Sequence, residues 1–272
     1  IGTAALQSNT TASNNVAVGY QASYSNTTAI DNIAVGYQAL YTNTTGTENA
    51  SLGVQALYTN NGSYNAAFGN YALKLNTTGS QSTAVGYAAL YTNTTGVNTA
   101  VGAYALTANT TGTLNTAIGN EVLRANTTGT YNTAIGYQAG YTNTTGDGNT
   151  FVGRLAGYTS NANGNTAMGN AALYLTTTGA SNVAMGQSAL QANTTASYNT
   201  AVGYESFKAN TTGAENTAAG FQSGYGNTTG AKNSFFGVNA GFTNTTGNQN
   251  VAFGHGSLKS NTTADNNTAV GY

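Results

Sequence analysis

A parallel β-solenoid of sixteen short coils is the fold that this 272-residue sequence predicts. Three observations carry the prediction. A Gly preceded by a small and then an apolar residue recurs from Gly2 to Gly271, with thirteen spacings of 17 residues and three of 16. Each Gly closes a short β-favouring run such as Asn132-Thr133-Ala134-Ile135. Each unit then carries a polar Asn-Thr-Thr-Gly or a variant of it. A unit this short cannot hold the helix pair of a helical repeat or the four strands of a propeller blade, which leaves one solenoid coil.

Along one coil, the first element is an Asn four residues before the Gly, present in fifteen of sixteen units, with Ser82 as the exception. Stacked amides of this kind form a ladder along the coil axis. The strand follows, and the Gly after it supplies a corner that needs positive φ. A second short strand is expected over residues 138–142, Gln138-Ala139-Gly140-Tyr141-Thr142, closed by the turn residues Asn143-Thr144-Thr145-Gly146. The shortened units, ending at Gly69, Gly102 and Gly169, lose a residue in the polar half, where a loop tolerates deletion.

Composition excludes many alternatives. Charged residues make up 5% of the chain against roughly 25% in an ordinary domain, and Pro, Cys and Trp are absent. Lack of Cys removes disulfide scaffolds and thiolate chemistry. Six Lys plus Arg against seven Asp plus Glu leave no basic footprint for nucleic acid. No apolar run approaches the ~18 residues of a membrane span, and the first residues are not a signal peptide.

The strands read as apolar on both faces. The residue two before the Gly is Ala except at Ser51, Phe151 and Phe235, and the residue one before is always apolar. One face is expected to meet its own coil and the other a second chain. The position four after the Gly is usually Leu, as at Leu40 and Leu90, and is expected in the core. It becomes Gly at Gly140, Gly157, Gly224 and Gly241, each followed by an aromatic residue (Tyr141, Tyr158, Tyr225, Phe242) expected to fold back into the space.

The motif seen as Asn15-Val16-Ala17-Val18-Gly19 and Asn182-Val183-Ala184-Met185-Gly186 resembles the head repeat of trimeric autotransporter adhesins and of related phage-type tail-fibre proteins. The longer Tyr-Gln-Ala-Leu-Tyr-x-Asn-Thr-Thr-Gly form is similar to repeats of tail-fibre-like proteins that often end in a self-cleaving endosialidase-type chaperone. The resemblance spans all sixteen units. It implies a left-handed parallel β-roll wound as a parallel homotrimer. Residues 1–272 read as a single repeat array, an excerpt of a longer fibre that begins and ends inside a unit.

Chemistry-bearing groups are sparse. Asp31, Asp147, Asp265, Glu48, Glu121, Glu205 and Glu215 are scattered, and His255 is the single His, in a variable slot after Gly. No catalytic, cofactor-binding or metal-ligating set is expected, and calcium-binding rolls would need an Asp in each turn. Asn9, Asn26, Asn43, Asn61, Asn76, Asn93, Asn109, Asn126, Asn143, Asn193, Asn210, Asn227, Asn244 and Asn261 each begin an N-glycosylation acceptor sequence, a cover that would help a chain of such low charge stay soluble. Good turn chemistry explains the same residues. Rows of Tyr one and five residues after the Gly either pack from coil to coil or stack on sugars.

The expected function is structural: a segment of an extracellular fibre, on a cell surface or virion, whether surface filament, adhesin head or tail-fibre shaft, giving rigidity, reach and display. Its partners are copies of itself, as a homotrimer or end-to-end filament, and host or surface glycans. A carbohydrate-binding adhesin using exposed Tyr rows is the alternative, and a tail-spike enzyme would need a catalytic domain elsewhere.

Overall fold

The computed structural model describes residues 1–272. It contains sixteen strands and no helix: β1 (Val16–Val18), β2 (Ile33–Val35), β3 (Ala50–Leu52), β4 (Ala66–Phe68), β5 (Thr83–Val85), β6 (Asn98–Val101) and β7 (Asn115–Ile118), then β8 (Thr133–Ile135), β9 (Thr150–Val152), β10 (Thr166–Met168), β11 (Val183–Met185), β12 (Thr200–Val202), β13 (Thr217–Ala219), β14 (Ser234–Phe236), β15 (Val251–Phe253) and β16 (Thr268–Val270). Two compact units hold them, Ile1–Asn132 and Thr133–Tyr272.

Within the first unit, β1 to β7 pair in sequence order, parallel and in register, so that Ala17, Ala34, Ser51 and Ala67 face one another from coil to coil. The second unit repeats the arrangement from β8 to β16, for example Ala184 opposite Ala201, which in turn faces Ala218. Register survives the shortened coils because the deletions fall outside the strand. The coils ending at Gly69 and Gly169 lack one Thr of the polar turn, whereas the coil ending at Gly102 lacks the residue before Asn98. Ala50 still faces Ala66, and Thr83 still faces Thr99.

Each strand alternates. From β1 to β15 the strand Ala, or Ser51, Phe151 or Phe235 in its place, points inward and is buried, while the residues on either side of it are partly or fully exposed; Ala269 of β16 is partly exposed. The core is therefore thin: strand Ala, the Ala three after the Gly, and the Leu four after it. Leu40, Leu57, Leu90, Leu106 and Leu173 are completely buried, as expected from their place in the unit.

The second strand expected within each coil does not form. Residues such as Tyr37 to Thr42 are a succession of tight turns. The reason lies in the backbone: Gln38 and Leu40 have φ of 52° and 53°, and the same positions are left-handed in nearly every coil. Alternation of left- and right-handed residues curls the chain around the core instead of extending it. Coil-to-coil hydrogen bonding continues nevertheless. Gln38 N–H donates to Tyr20 O at 2.9 Å, Leu40 N–H to Ala56 O at 2.9 Å, and Thr42 N–H to Tyr58 O at 3.0 Å. The two left-handed residues Gln38 and Leu40 together cost about 2–4 kcal/mol, which complete burial of Leu40, at about 1.5–3 kcal/mol, offsets in part, leaving the coil-to-coil hydrogen bonds to contribute the rest.

The Gly after the strand is required twice over. Gly36 has φ of 138°, and a Cβ there would lie 2.7 Å from the carbonyl carbon of Gly53 in the next coil. Coils stack too closely at this corner for any side chain.

Candidate functional site

Three surfaces of the coil were marked by the sequence: the Asn-bearing turn, the Tyr rows and the outer strand face. At the turn, the amides are consumed by the fold. Asn43 Nδ2 donates to Gly46 O at 2.7 Å and its Oδ1 accepts from Gly46 N–H at 3.0 Å, a ring that closes the Asn-Thr-Thr-Gly corner. The amides also bond along the axis: Asn93 Nδ2 reaches Asn76 Oδ1 at 3.1 Å, Asn109 reaches Asn93 at 2.8 Å, and Asn126 reaches Asn109 at 2.8 Å.

The expected ladder of the Asn before the strand runs beside it. Asn115 N–H and Nδ2 both donate to Asn98 Oδ1, at 3.0 and 3.1 Å, and Nδ2 also donates to Gly129 O at 2.8 Å. Ser82 fits the same column because its Oγ donates to Gly96 O at 3.0 Å and accepts from Asn98 N–H at 3.2 Å. Gly46 O serves both ladders, taking bonds from Asn43 and from Asn32 of the preceding coil. The core is thus walled on its polar side by two buried amide columns.

The acceptor asparagines fall into two groups. Asn26, Asn43, Asn76, Asn93, Asn109, Asn126, Asn143, Asn193, Asn210, Asn227 and Asn244 are wholly buried. A glycan on any of these Nδ2 atoms has no room in the folded coil and would remove ladder bonds. Asn9 is exposed, and Asn261 is partly exposed but continues the ladder, its Nδ2 donating to Asn244 Oδ1 at 2.9 Å and to Ala264 O at 3.0 Å. Asn61 is exposed because Asn60 occupies the ladder in that shortened turn, with Asn76 Nδ2 donating to Asn60 Oδ1 at 2.6 Å. The Thr hydroxyls beside these amides also turn to the fold: Thr94 Oγ1 donates to Thr110 O at 2.9 Å and Thr110 Oγ1 to Thr127 O at 3.0 Å.

Most rings of the Tyr rows pack on one another. Tyr24, Tyr41 and Tyr58 stack at 5.1 Å between centroids, Tyr141, Tyr158 and Tyr174 at 5.2 Å, and Tyr225 on Phe242 at 5.2 Å. Desolvation, then its Tyr24 and Tyr58 neighbours, raise the Tyr41 phenol above its ordinary value. The rings expected to refill the core after Gly140, Gly157, Gly224 and Gly241 therefore stand outside it.

One place breaks the stacking. Where the row two after the Gly reads Tyr71, Ala88, Tyr104, the rings stand edge to face: Tyr71 on Tyr87 at 83°, Tyr71 on Tyr91 at 72°, and Tyr87 on Tyr104 at 69°. They surround a cleft of about 280 Å³ floored by Ala88 and Thr107, with Lys74 on its wall. Lys74 Nζ lies 5.0 Å from the Tyr71 centroid and 5.5 Å from that of Tyr91. A second cleft, about 350 Å³, lies among Tyr174, Gln191, Lys208 and Tyr225.

The titratable residues are not gathered. Asp31, Glu48, Asp147 and Glu215 are exposed on separate coils, His255 and Asp265 are exposed on one further coil, and His255 stacks on Tyr272 at 5.0 Å. Glu121 pairs with Arg124 and Glu205 with Lys208, each at 2.6 Å. No group of three or more His, Cys, Asp or Glu side chains is placed to hold a metal ion, and no helix is long and apolar enough to cross a membrane. Neither a family model nor a curated protein matches the chain.

Proposed function

We propose that this chain is a structural, non-catalytic segment of an extracellular fibre, and that it works as a parallel homotrimer joined through the outer strand faces. The carrying observation is the outward half of the strands. Val18, Leu52, Phe68, Ile118, Met185 and Phe253 are 37, 50, 41, 39, 40 and 58% exposed, and their rows run in register along each unit. No outward position of any strand is charged. A continuous apolar surface of this kind on a lone chain marks a contact surface. A second copy fits it best: identical periodicity lets every outward row meet its like at the same height, and a heterologous contact that closes on itself gives a ring such as a trimer. Ladders of amides along each unit, joined by stacked rings on many coils, supply the stiffness a fibre needs. Sedimentation equilibrium tests the assembly, and an Ile118→Asp variant tests the face.

A second reading, a carbohydrate-binding adhesin, has a narrower support. Rings stacked within the Tyr rows have their faces covered by each other, whereas the cleft around Ala88 gathers four unstacked rings at one opening.

A further inference from the structure

We infer that the Tyr71–Tyr104 cleft is a binding site for a single acidic sugar residue, one carrying a carboxylate, such as a uronic or sialic acid at the end of a glycan. The inference rests on the second, carbohydrate-binding reading and is independent of the fibre assembly.

Four features define the ligand. First, Tyr71, Tyr87, Tyr91 and Tyr104 bring both faces and edges to one opening, the arrangement that receives the C–H face of a sugar ring. Second, its volume of about 280 Å³ lies at the lower bound of small-molecule sites, which suits one ring rather than an extended oligosaccharide. Third, small residues at Ala88 and Thr107 create the depth. The Thr107 hydroxyl already donates to Ala88 O at 3.2 Å, so the floor itself makes no strong demand on a ligand. Fourth, Lys74 has no carboxylate partner: the chain's two ion pairs are Glu121–Arg124 and Glu205–Lys208. Two rings hold its ammonium at the wall with donors still to be satisfied, and a carboxylate is the acceptor that would make the strongest hydrogen bond there.

The cleft of the second unit provides the contrast. Its Lys208 is engaged by Glu205 at 2.6 Å, and only Tyr174 and Tyr225 contribute rings. With its cation neutralised and half the aromatic lining, it lacks the features that select an acidic sugar.

The test is a glycan array followed by calorimetric titration with the full chain, using oligosaccharides ending in glucuronate or N-acetylneuraminate and their neutral parents. The site predicts retention of acidic glycans roughly 10-fold above neutral ones, loss of that preference in Lys74→Gln, and loss of binding in Tyr87→Ala. Tyr37→Ala, from the stacked row, keeps wild-type binding. Circular dichroism and sedimentation of each variant separate a lost site from a lost fold or a changed assembly. Equal retention of neutral and acidic glycans, no retention of either, or unchanged affinity in Lys74→Gln with the fold intact would each overturn the assignment, and none of them bears on the trimer.

Discussion

Phe151 occupies the space that a side chain at Gly157 would need: a Cβ built on Gly157 would lie 2.5 Å from Cδ1 of the Phe151 ring. The same relationship recurs at Phe235, whose ring carbons lie 2.7 Å from a Cβ on Gly241 and 3.0 Å from one on Gly224. The core thus carries a strand Phe in place of Ala where the turn Leu is Gly in two flanking coils, Gly140 and Gly157 around Phe151 and Gly224 and Gly241 around Phe235, with Phe207 also filling the space at Gly224.

That exchange predicts a specific rescue. Gly157→Leu should destabilise the chain by about 2–4 kcal/mol, through overpacking against Phe151 and the left-handed backbone at φ 59°. Adding Phe151→Ala removes the clash and should recover part of the loss in denaturant unfolding, and adding Gly140→Leu as well, which completes the common Ala and Leu combination, should recover most of it. Equal melting of the single variant and wild type would refute the packing.

The amide columns make a second prediction, for which Ser82 is a precedent within the chain. Asn115→Ser should cost little, since a hydroxyl can both donate to Gly129 O and accept from Asn132 N–H in the way that Ser82 serves its neighbours. Asn115→Asp faces the Asn98 and Gly129 oxygens with a buried carboxylate and should cost about 3–5 kcal/mol. Thermal melts of both variants side by side decide the point.

Glycan occupancy follows from the burial of the acceptors. Material from a glycosylating host should carry no N-glycan on Asn26, Asn43, Asn76, Asn93, Asn109, Asn126, Asn143, Asn193, Asn210, Asn227 or Asn244, because these acceptor amides are wholly buried, whereas the exposed Asn61 stays open to modification. Peptide mapping that finds glycan on Asn43, Asn93 or Asn143 of folded protein would contradict the ladder.

A pH dependence is expected at Glu205 and Lys208. Hydrogen bonds from Lys208, then Gln222, hold the Glu205 carboxyl below its ordinary value of 4.5, and the bond to Glu205 raises Lys208 above 10.5. A lowered carboxyl stabilises above its unfolded value and loses that contribution as pH falls through the folded one. A raised ammonium stabilises below its unfolded value and loses that contribution as pH rises through the folded one. The pair should therefore be flat between 4.5 and 10.5 and weaken outside this range. Being partly exposed, it should shift melting only slightly. Glu205→Gln should flatten the acid limb relative to wild type.

Much of this was legible in the sequence because each coil repeats the same demands. The period, the corner Gly, the buried Leu and the Asn column before the strand all follow from residues that recur at fixed spacing. The second strand was misread because Gln-Ala-Leu-Tyr-Thr has strand-like composition, while the alternating φ of Gln38 and Leu40 is imposed by coil curvature. The Phe and Gly exchange carried a readable signal: Gly140 and Gly157 flank Phe151, and Gly224 and Gly241 flank Phe235, at offsets of eleven before and six after. The neighbouring Tyr drew attention instead. Asn-Thr-Thr-Gly reads as a solvent-facing turn, yet its first residue faces the adjoining coil, a placement that polarity alone does not reveal.

Sedimentation equilibrium of the full chain, with circular dichroism on the same sample, tests the central claim most directly. A trimer gives a single species of three times the 27.4 kDa chain mass, reduced to one chain mass by Ile118→Asp with the solenoid signal retained. A monodisperse wild-type monomer with full β signal would contradict it, since the uncharged outer strand face would then stand in water uncovered.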